Sequence, residues 1–271
     1  MPELPEVETT ASGIRPHLLH QQIADVAVRQ KKLRQPVTRN LGVRLRNQTI
    51  RAVKRRAKYL LIYLTRGCVI IHLGMSGRLR VLRQHCTAEK HDHVDVTLAD
   101  GQVLRFTDPR RFGCVLYTAG DPLHHKLLKH LGPEPFDDAF NADYLYALSR
   151  RRSVAVKNFI MNGHIVVGVG NIYASEALHR AGILPHRQAG RISRKRYATL
   201  VQHVCDVLRE AIRQGGTTLR DFTNSDGFPG YFKQELDVYD RQDLPCNTCG
   251  DNIRMKVIGQ RSSYYCLTCQ A

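Results

Sequence analysis

Cys246-x2-Cys249 and Cys266-x2-Cys269, with sixteen residues between the pairs, close a chain of 271 residues. From Glu235 onward the sequence is short and polar, too small to build a core from apolar side chains alone. Two Cys-x2-Cys turns at this interval fall within the range of a four-thiolate zinc site, each turn supplying two corners of one tetrahedron. The metal would then replace the core that the tail lacks. Disulfides and chance clustering are the other readings of the same residues. The remaining cysteines, Cys68, Cys86, Cys114 and Cys205, are scattered. A disulfide framework belongs to short secreted chains, whereas this chain is long and opens Met1-Pro2-Glu3-Leu4-Pro5-Glu6, acidic where a leader peptide is basic and then apolar. The expectation is one structural Zn2+ held by Cys246, Cys249, Cys266 and Cys269, in a cytoplasmic protein. Between the pairs, Ile253 to Tyr265 reads as a β-hairpin carrying Arg254, Lys256, Gln260 and Arg261.

Charge narrows the partner. Lys and Arg total 41 against 24 Asp and Glu, a formal net charge of +17. Such an excess suits a polyanion. Apolar runs such as Val69-Ile70-Ile71 are too short to span a bilayer, so no membrane partner is expected.

Hydrophobic patterning divides the chain. Ile23–Val28, Tyr59–Leu64, Val69–Leu73, Leu79–Leu82, Val94–Leu98, Val103–Phe106 and Cys114–Tyr117 alternate or run apolar at strand length, with Gly, Asp and Asn between them. That spacing predicts a sandwich or barrel, preceded by one helix from about Pro5 to Leu19. Gly132-Pro133-Glu134-Pro135 reads as a linker. Beyond it, Asn141–Leu148, Ile172–Arg180 and Arg194–Arg213 have helical periodicity, and Gly182 reads as a helix stop. Three domains are expected: 1–132, 133–232 and 235–271.

Pro2 carries chemistry of its own. Once the initiator Met1 is removed, Pro2 holds a free secondary amine. An α-amino group has a pKa near ~7.7–8.0, so roughly a tenth is neutral and nucleophilic at pH 7. Condensation with a sugar aldehyde gives a cationic iminium, an electron sink for eliminating neighbouring phosphates. The plainer reading is that Pro2 and Pro5 only shape the chain start. His91-Asp92-His93 hints at a second metal site, but no companion ligand spacing accompanies it.

Several stretches occur together in one order: Pro2-Glu3-Leu4-Pro5-Glu6-Val7-Glu8-Thr9, Arg55-Arg56-Ala57-Lys58-Tyr59-Leu60, Ile71-His72-Leu73-Gly74-Met75-Ser76-Gly77 and Lys90-His91-Asp92-His93. Asp108-Pro109-Arg110-Arg111-Phe112-Gly113, Gly168-Val169-Gly170-Asn171-Ile172-Tyr173-Ala174 and Gly215-Gly216-Thr217-Thr218 follow, and the cysteine tail closes the series. In these motifs, from residue 2 to 269, the chain resembles the bacterial formamidopyrimidine-DNA glycosylases.

The resemblance implies an α+β multidomain fold: an N-terminal two-layer β-sandwich with a leading helix, a helix-two-turn-helix domain and a zinc β-hairpin finger. It implies a bifunctional glycosylase and abasic-site lyase of base-excision repair, acting as a monomer on duplex DNA that contains oxidised purines or abasic sites. Its bacterial setting would be the nucleoid, with DNA in a basic cleft between the domains. By the same resemblance Pro2 is the nucleophile and Glu3 the proton donor, with Lys58 serving β-elimination and Arg261 δ-elimination. Met75, Arg110 and Phe112 match the triad that fills the hole left by an everted nucleotide. His72, His91, Arg151 and Asn171 match backbone contacts. Glu6, Lys157 and Arg220 match positions near the base pocket, under a loop from about Thr217 to Tyr231. Alone, Met75 and Phe112 read as core, Lys58 as a solvated lysine in a basic strand stretch, Arg151 as part of a solvated face and Asn171 as a helix cap. Arg220 where relatives often have Lys, Asn158-Phe159 where Pro-Trp is familiar, and the lack of Trp depart from the pattern. Two other readings are an endonuclease VIII-like enzyme for oxidised pyrimidines, whose start differs at Leu4, and a non-catalytic zinc protein that binds damage.

Overall fold

Among the described residues, eight strands and two α-helices are built from the first half of the chain. The structure is a computed structural model and describes residues 2–83, 86–215 and 236–271. Helix α1 (Leu4–Leu18) opens it, followed by β1 (Ile23–Val28), a short α2 (Leu41–Leu45), β2 (Ile50–Arg56), β3 (Tyr59–Leu64), β4 (Cys68–His72), β5 (Arg78–Leu82), β6 (Asp92–Leu98), β7 (Val103–Thr107) and β8 (Cys114–Thr118). Two antiparallel four-stranded sheets form, ordered β1-β6-β7-β5 and β2-β3-β4-β8. Their facing side chains, among them Leu60, Ile62, Val69, Ile71, Leu104, Phe106 and Val115, make one core. Helix α1 adds Val7, Ala11, Ile14 and Leu18, spaced so that they share one face. This is the two-layer sandwich with a leading helix.

Strand β4 departs from simple alternation because both of its faces are covered. The rows Leu60–Ile71–Val115 and Leu61–Ile70–Leu116 point to opposite sides of the sheet, and all six residues are buried.

Strand β2 escapes the sequence reading. Its four basic residues, Arg51, Lys54, Arg55 and Arg56, mask an inward pair, Ile50 and Val53, whose spacing is broken by a register shift between Ile50 and Ala52. Lys58, expected within a strand, instead sits with Ala57 in the turn between β2 and β3, where Arg56 pairs with Tyr59.

The second unit contains residues 130–213 and 236–271, and residues 2–129 form the first. Helices α3 (Ala142–Ser149), α4 (Val156–Ile160), α5 (Asn171–Arg180) and α6 (Arg194–Arg213) are followed by a hairpin of β9 (Arg254–Ile258) and β10 (Arg261–Tyr265). Helix α5 is buried from Ile172 to His179, and α6 buries one stripe from Tyr197 through Leu200, Val204 and Leu208 to Ala211. Gly182 takes φ +66 just after α5, the left-handed stop that a glycine allows. Glu176 of α5 ties down the segment that leads to the hairpin: its carboxylate accepts from the backbone N–H groups of Asp237 (2.7 Å), Val238 (3.0 Å) and Tyr239 (2.8 Å). No described helix is long and apolar enough to cross a membrane.

Candidate nucleic-acid interface

The start of α1 is a capping box. Glu3 is the N-cap and its side chain accepts from the backbone of Glu6, while the Glu3 N–H donates to Glu6 Oε2 at 2.8 Å. Pro2, Glu3 and Glu6 are all buried. The Pro2 nitrogen therefore precedes the positive end of a helix dipole. Glu8, little more than one turn along, accepts from Arg55 Nε at 2.7 Å, and Arg55 Nη1 donates to the Ala57 carbonyl at 3.1 Å. Helix α1 is thereby fastened to the turn that carries Lys58. Ala57 holds φ +56 there, a conformation that L side chains rarely adopt.

His72 ends β4. Its Nδ1 accepts the Gly74 N–H at 2.9 Å, so the proton resides on Nε2. Burial, then the charges of Arg34 and Lys58, push its pKa down to about 4. It is a neutral hydrogen-bond donor beside two cations. Arg34 was not singled out from the sequence, since an Arg in the run Lys31-Lys32-Leu33-Arg34 reads as a solvated charge.

Met75, Arg110, Phe112 and Arg111 are exposed on two neighbouring loops. The Arg110 guanidinium lies 5.1 Å from the centre of the Phe112 ring. Gly74 takes φ +68, and a Cβ there would stand 2.5 Å from the backbone of Phe112 and Gly113. The two loops touch backbone to backbone. Met75 and Phe112 are large apolar side chains left partly in water. His91 is half-buried on a third loop, and the His93 ring bonds to the Asp108 carbonyl at 2.7 Å. Among the described residues His91, Asp92 and His93 form no metal-ligating group.

In the second unit, three of the expected residues meet at β10. Arg261 is exposed at the first position of β10, after the turn Gly259-Gln260, whose two positive φ angles suit a two-residue hairpin. Asn171 Nδ2 donates to the Ser262 carbonyl at 3.2 Å. Lys157 is fully buried, and its ammonium donates to the Ser262 carbonyl at 3.1 Å and to Ser263 Oγ at 2.8 Å. Lys157 and Asn171 thus hold the strand that presents Arg261. Asn171 is the first residue of α5 and Gly170 is its N-cap, so the plainer reading of Asn171 as a cap fails. Asn158 packs against the hairpin tip, where a Cβ on Gly259 would meet its amide at 2.3 Å. Arg151 is exposed with φ +61 beyond α3, whereas its neighbour Arg150 is turned inward to the Ile192 carbonyl. Arg220 and the loop 217–231 lie outside the described residues.

The four tail cysteines offer sulfurs that all lie within 4.8 Å of one another. Zn–S bonds of about 2.3 Å in a tetrahedron separate sulfurs by about 3.8 Å, and the pairs Cys246–Cys269 and Cys249–Cys266 stand at 3.9 and 3.4 Å. The apolar residues behind them are few, with Val238 and Ile253 joining Cys246 and Cys266 in one small cluster. The donor set and the missing core both fit one structural zinc ion.

Three family models cover the chain. The formamidopyrimidine-DNA glycosylase N-terminal domain matches residues 1–115, the H2TH domain of the same enzymes 131–223, and a zinc finger found in FPG and IleRS 243–271. A formamidopyrimidine-DNA glycosylase of Syntrophotalea carbinolica is 57% identical over 270 residues, and one of Pseudomonas putida 56%, each alignment covering 100% of both chains. Among solved structures, the MutM (Fpg) protein of Thermus thermophilus has a TM-score of 0.88 at 34% identity, covering 99% of this chain and 98% of that one. A Lactococcus lactis Fpg mutant in complex with DNA containing Fapy-dG has a TM-score of 0.91 at 29% identity, covering 99% of both chains.

Proposed function

The chain belongs to the formamidopyrimidine-DNA glycosylase family, DNA-repair enzymes that act on damaged DNA, and from that membership we propose a specific reaction. The enzyme removes oxidised purines, 8-oxoguanine and formamidopyrimidines, from duplex DNA and then cuts on both sides of the vacated sugar. The observation that carries this reading is the buried start of α1, with Pro2 directly before the Glu3–Glu6 capping box.

The chemistry follows from that amine. With Met1 removed, the Pro2 nitrogen attacks C1′, the C1′–base bond breaks, and the base leaves with the bonding pair. Glu3 protonates the sugar ring oxygen as the ring opens, leaving an iminium between Pro2 and C1′. Loss of a C2′ proton then expels the 3′ phosphate by β-elimination, and a second loss expels the 5′ phosphate by δ-elimination. Hydrolysis of the iminium returns the amine. The product is a one-nucleotide gap ended by phosphates. Lys58 and the Nε2–H of His72 hold phosphate during the first elimination, and Arg261 does so in the second. Asn171 adds its amide and the α5 N-terminus. Met75, Arg110 and Phe112 fill the stack when the nucleotide is everted. His91 and Arg151 grip the flanking backbone, while Glu6 and Lys157 act at the base pocket chiefly by fixing Glu3 and β10. Arg220 completes that pocket. The zinc ion supplies scaffold: Cys246, Cys249, Cys266 and Cys269 would hold it, and no step passes through it. The divisions near residues 132 and 235 serve as domain boundaries, and the enzyme works as a cytoplasmic monomer.

Two labelled duplexes test this, one with 8-oxoguanine opposite cytosine and one with thymine glycol. Cutting of the first to a phosphate-ended gap is expected. Cutting of thymine glycol alone would reassign the chain to oxidised pyrimidines, and binding without cutting would leave a damage-binding protein.

A further inference from the structure

Asp108 is completely buried and stands at the junction of three loops. Its backbone N–H donates to the His91 carbonyl at 3.0 Å. Its own carbonyl accepts from the Arg111 N–H at 3.2 Å and bonds the His93 ring, whose Nε2 must carry the proton, at 2.7 Å. Its carboxylate divides between its own loop, which carries Arg110 and Phe112, and the loop that carries Met75: Oδ2 accepts from the Gly113 N–H at 2.8 Å and Oδ1 from Ser76 Oγ at 3.2 Å. Ser76 follows Met75, and Gly113 follows Phe112. One side chain therefore joins the loop bearing Met75 to the loop bearing Arg110 and Phe112, and its backbone joins both to His91. Met75, Arg110 and Phe112 are exposed on the two loops that this carboxylate joins.

We infer that Asp108 is a positioning residue that makes the Met75 loop and the Arg110–Phe112 loop move and insert as one wedge. This rests on the proposed DNA reading, and it assigns to Asp108 no contact with substrate. A wedge whose parts are independent would lose contact with the everted site one side chain at a time. Coupled through a buried carboxylate, the parts share one geometry, and disrupting Asp108 impairs eversion without touching the amine chemistry. Asparagine keeps this coupling, because its amide oxygen accepts from Gly113 N–H and its NH2 donates to Ser76 Oγ. Alanine leaves a buried N–H without an acceptor.

The test compares the parent, Asp108→Ala, Asp108→Asn and Ser76→Ala on two substrates. One is an 8-oxoguanine duplex with 2-aminopurine beside the lesion, which reports unstacking by fluorescence. The other is a single-stranded oligonucleotide with a preformed abasic site, which needs no wedge. Asp108→Ala is expected to slow unstacking and excision on the duplex by about 10- to 100-fold, with strand cutting at the preformed abasic site within twofold of the parent. Ser76→Ala slows the duplex reaction by a smaller factor, and Asp108→Asn restores it to within about threefold. Duplex excision by Asp108→Ala at the parent's rate would overturn the proposal, as would equal losses on both substrates. If Asp108→Ala does not fold, Ser76→Ala decides: an unstacking rate unchanged from the parent's overturns the coupling. A parent that excises nothing from the duplex would instead refute the proposed reaction, so the two failures are distinct.

Discussion

At the residue scale the decisive groups are those whose protonation the surroundings fix. His72 is neutral because its Nδ1 is committed to Gly74 N–H and because burial, Arg34 and Lys58 all oppose a positive charge. Its folded pKa of about 4 lies below the ordinary imidazole value of 6.5. Stability from neutral His72 is therefore complete above pH 6.5 and is lost as pH falls from there toward 4. Lys58→Gln removes one of the opposing charges, so the His72 pKa should rise, as an NMR titration of the imidazole would report. An unchanged pKa would mean that burial and Arg34 account for the whole shift. Gly74 is fixed by space as much as by φ. Gly74→Ala would force a Cβ to 2.5 Å from the Phe112 and Gly113 backbone at φ +68, and should destabilise the protein by about 2–3 kcal/mol in denaturant unfolding.

At the element scale, the strands with apolar runs and the three longer C-terminal helices, α3, α5 and α6, were legible because burial imposes their periods. Strand β2 was not, because four basic residues and a register shift conceal its inward pair. Helices α2 and α4, five residues each, are too short to show a period. The candidate site residues were legible through their motifs, but the residues that hold them in place were not. A lone Asp108 before a proline reads as turn chemistry, and Glu176 reads as one polar position on a helix. The structure gives Glu176 three backbone donors from the segment leading into the zinc hairpin. Glu176→Gln replaces one acceptor oxygen by a donor that faces an N–H. Amides 237–239 should then exchange hydrogen faster, and stability should fall by about 1–3 kcal/mol. Unchanged exchange there would show that the hairpin is held by Lys157 and Asn171 instead.

At the scale of the whole molecule, charge and metal act together. With a net charge of +17, affinity for duplex DNA should fall steeply as salt rises, log Kd growing linearly with log salt. Removing zinc with a chelator should unfold the tail, whose apolar cluster is too small to persist, and abolish specific DNA binding while the sandwich keeps its β structure by circular dichroism. Intact binding after chelation would contradict a structural role for the metal. In the proposed reaction the amine of residue 2 forms a covalent iminium with the damaged nucleotide's sugar. Borohydride reduction of the enzyme on an 8-oxoguanine duplex, followed by proteolysis and mass spectrometry of the cross-linked peptide, reads that bond. A stable adduct should map to Pro2 at a chain start lacking Met1, and a Pro2→Gly variant should lack it. An adduct on a lysine, or full excision with no trapped species, would contradict the proposed reaction.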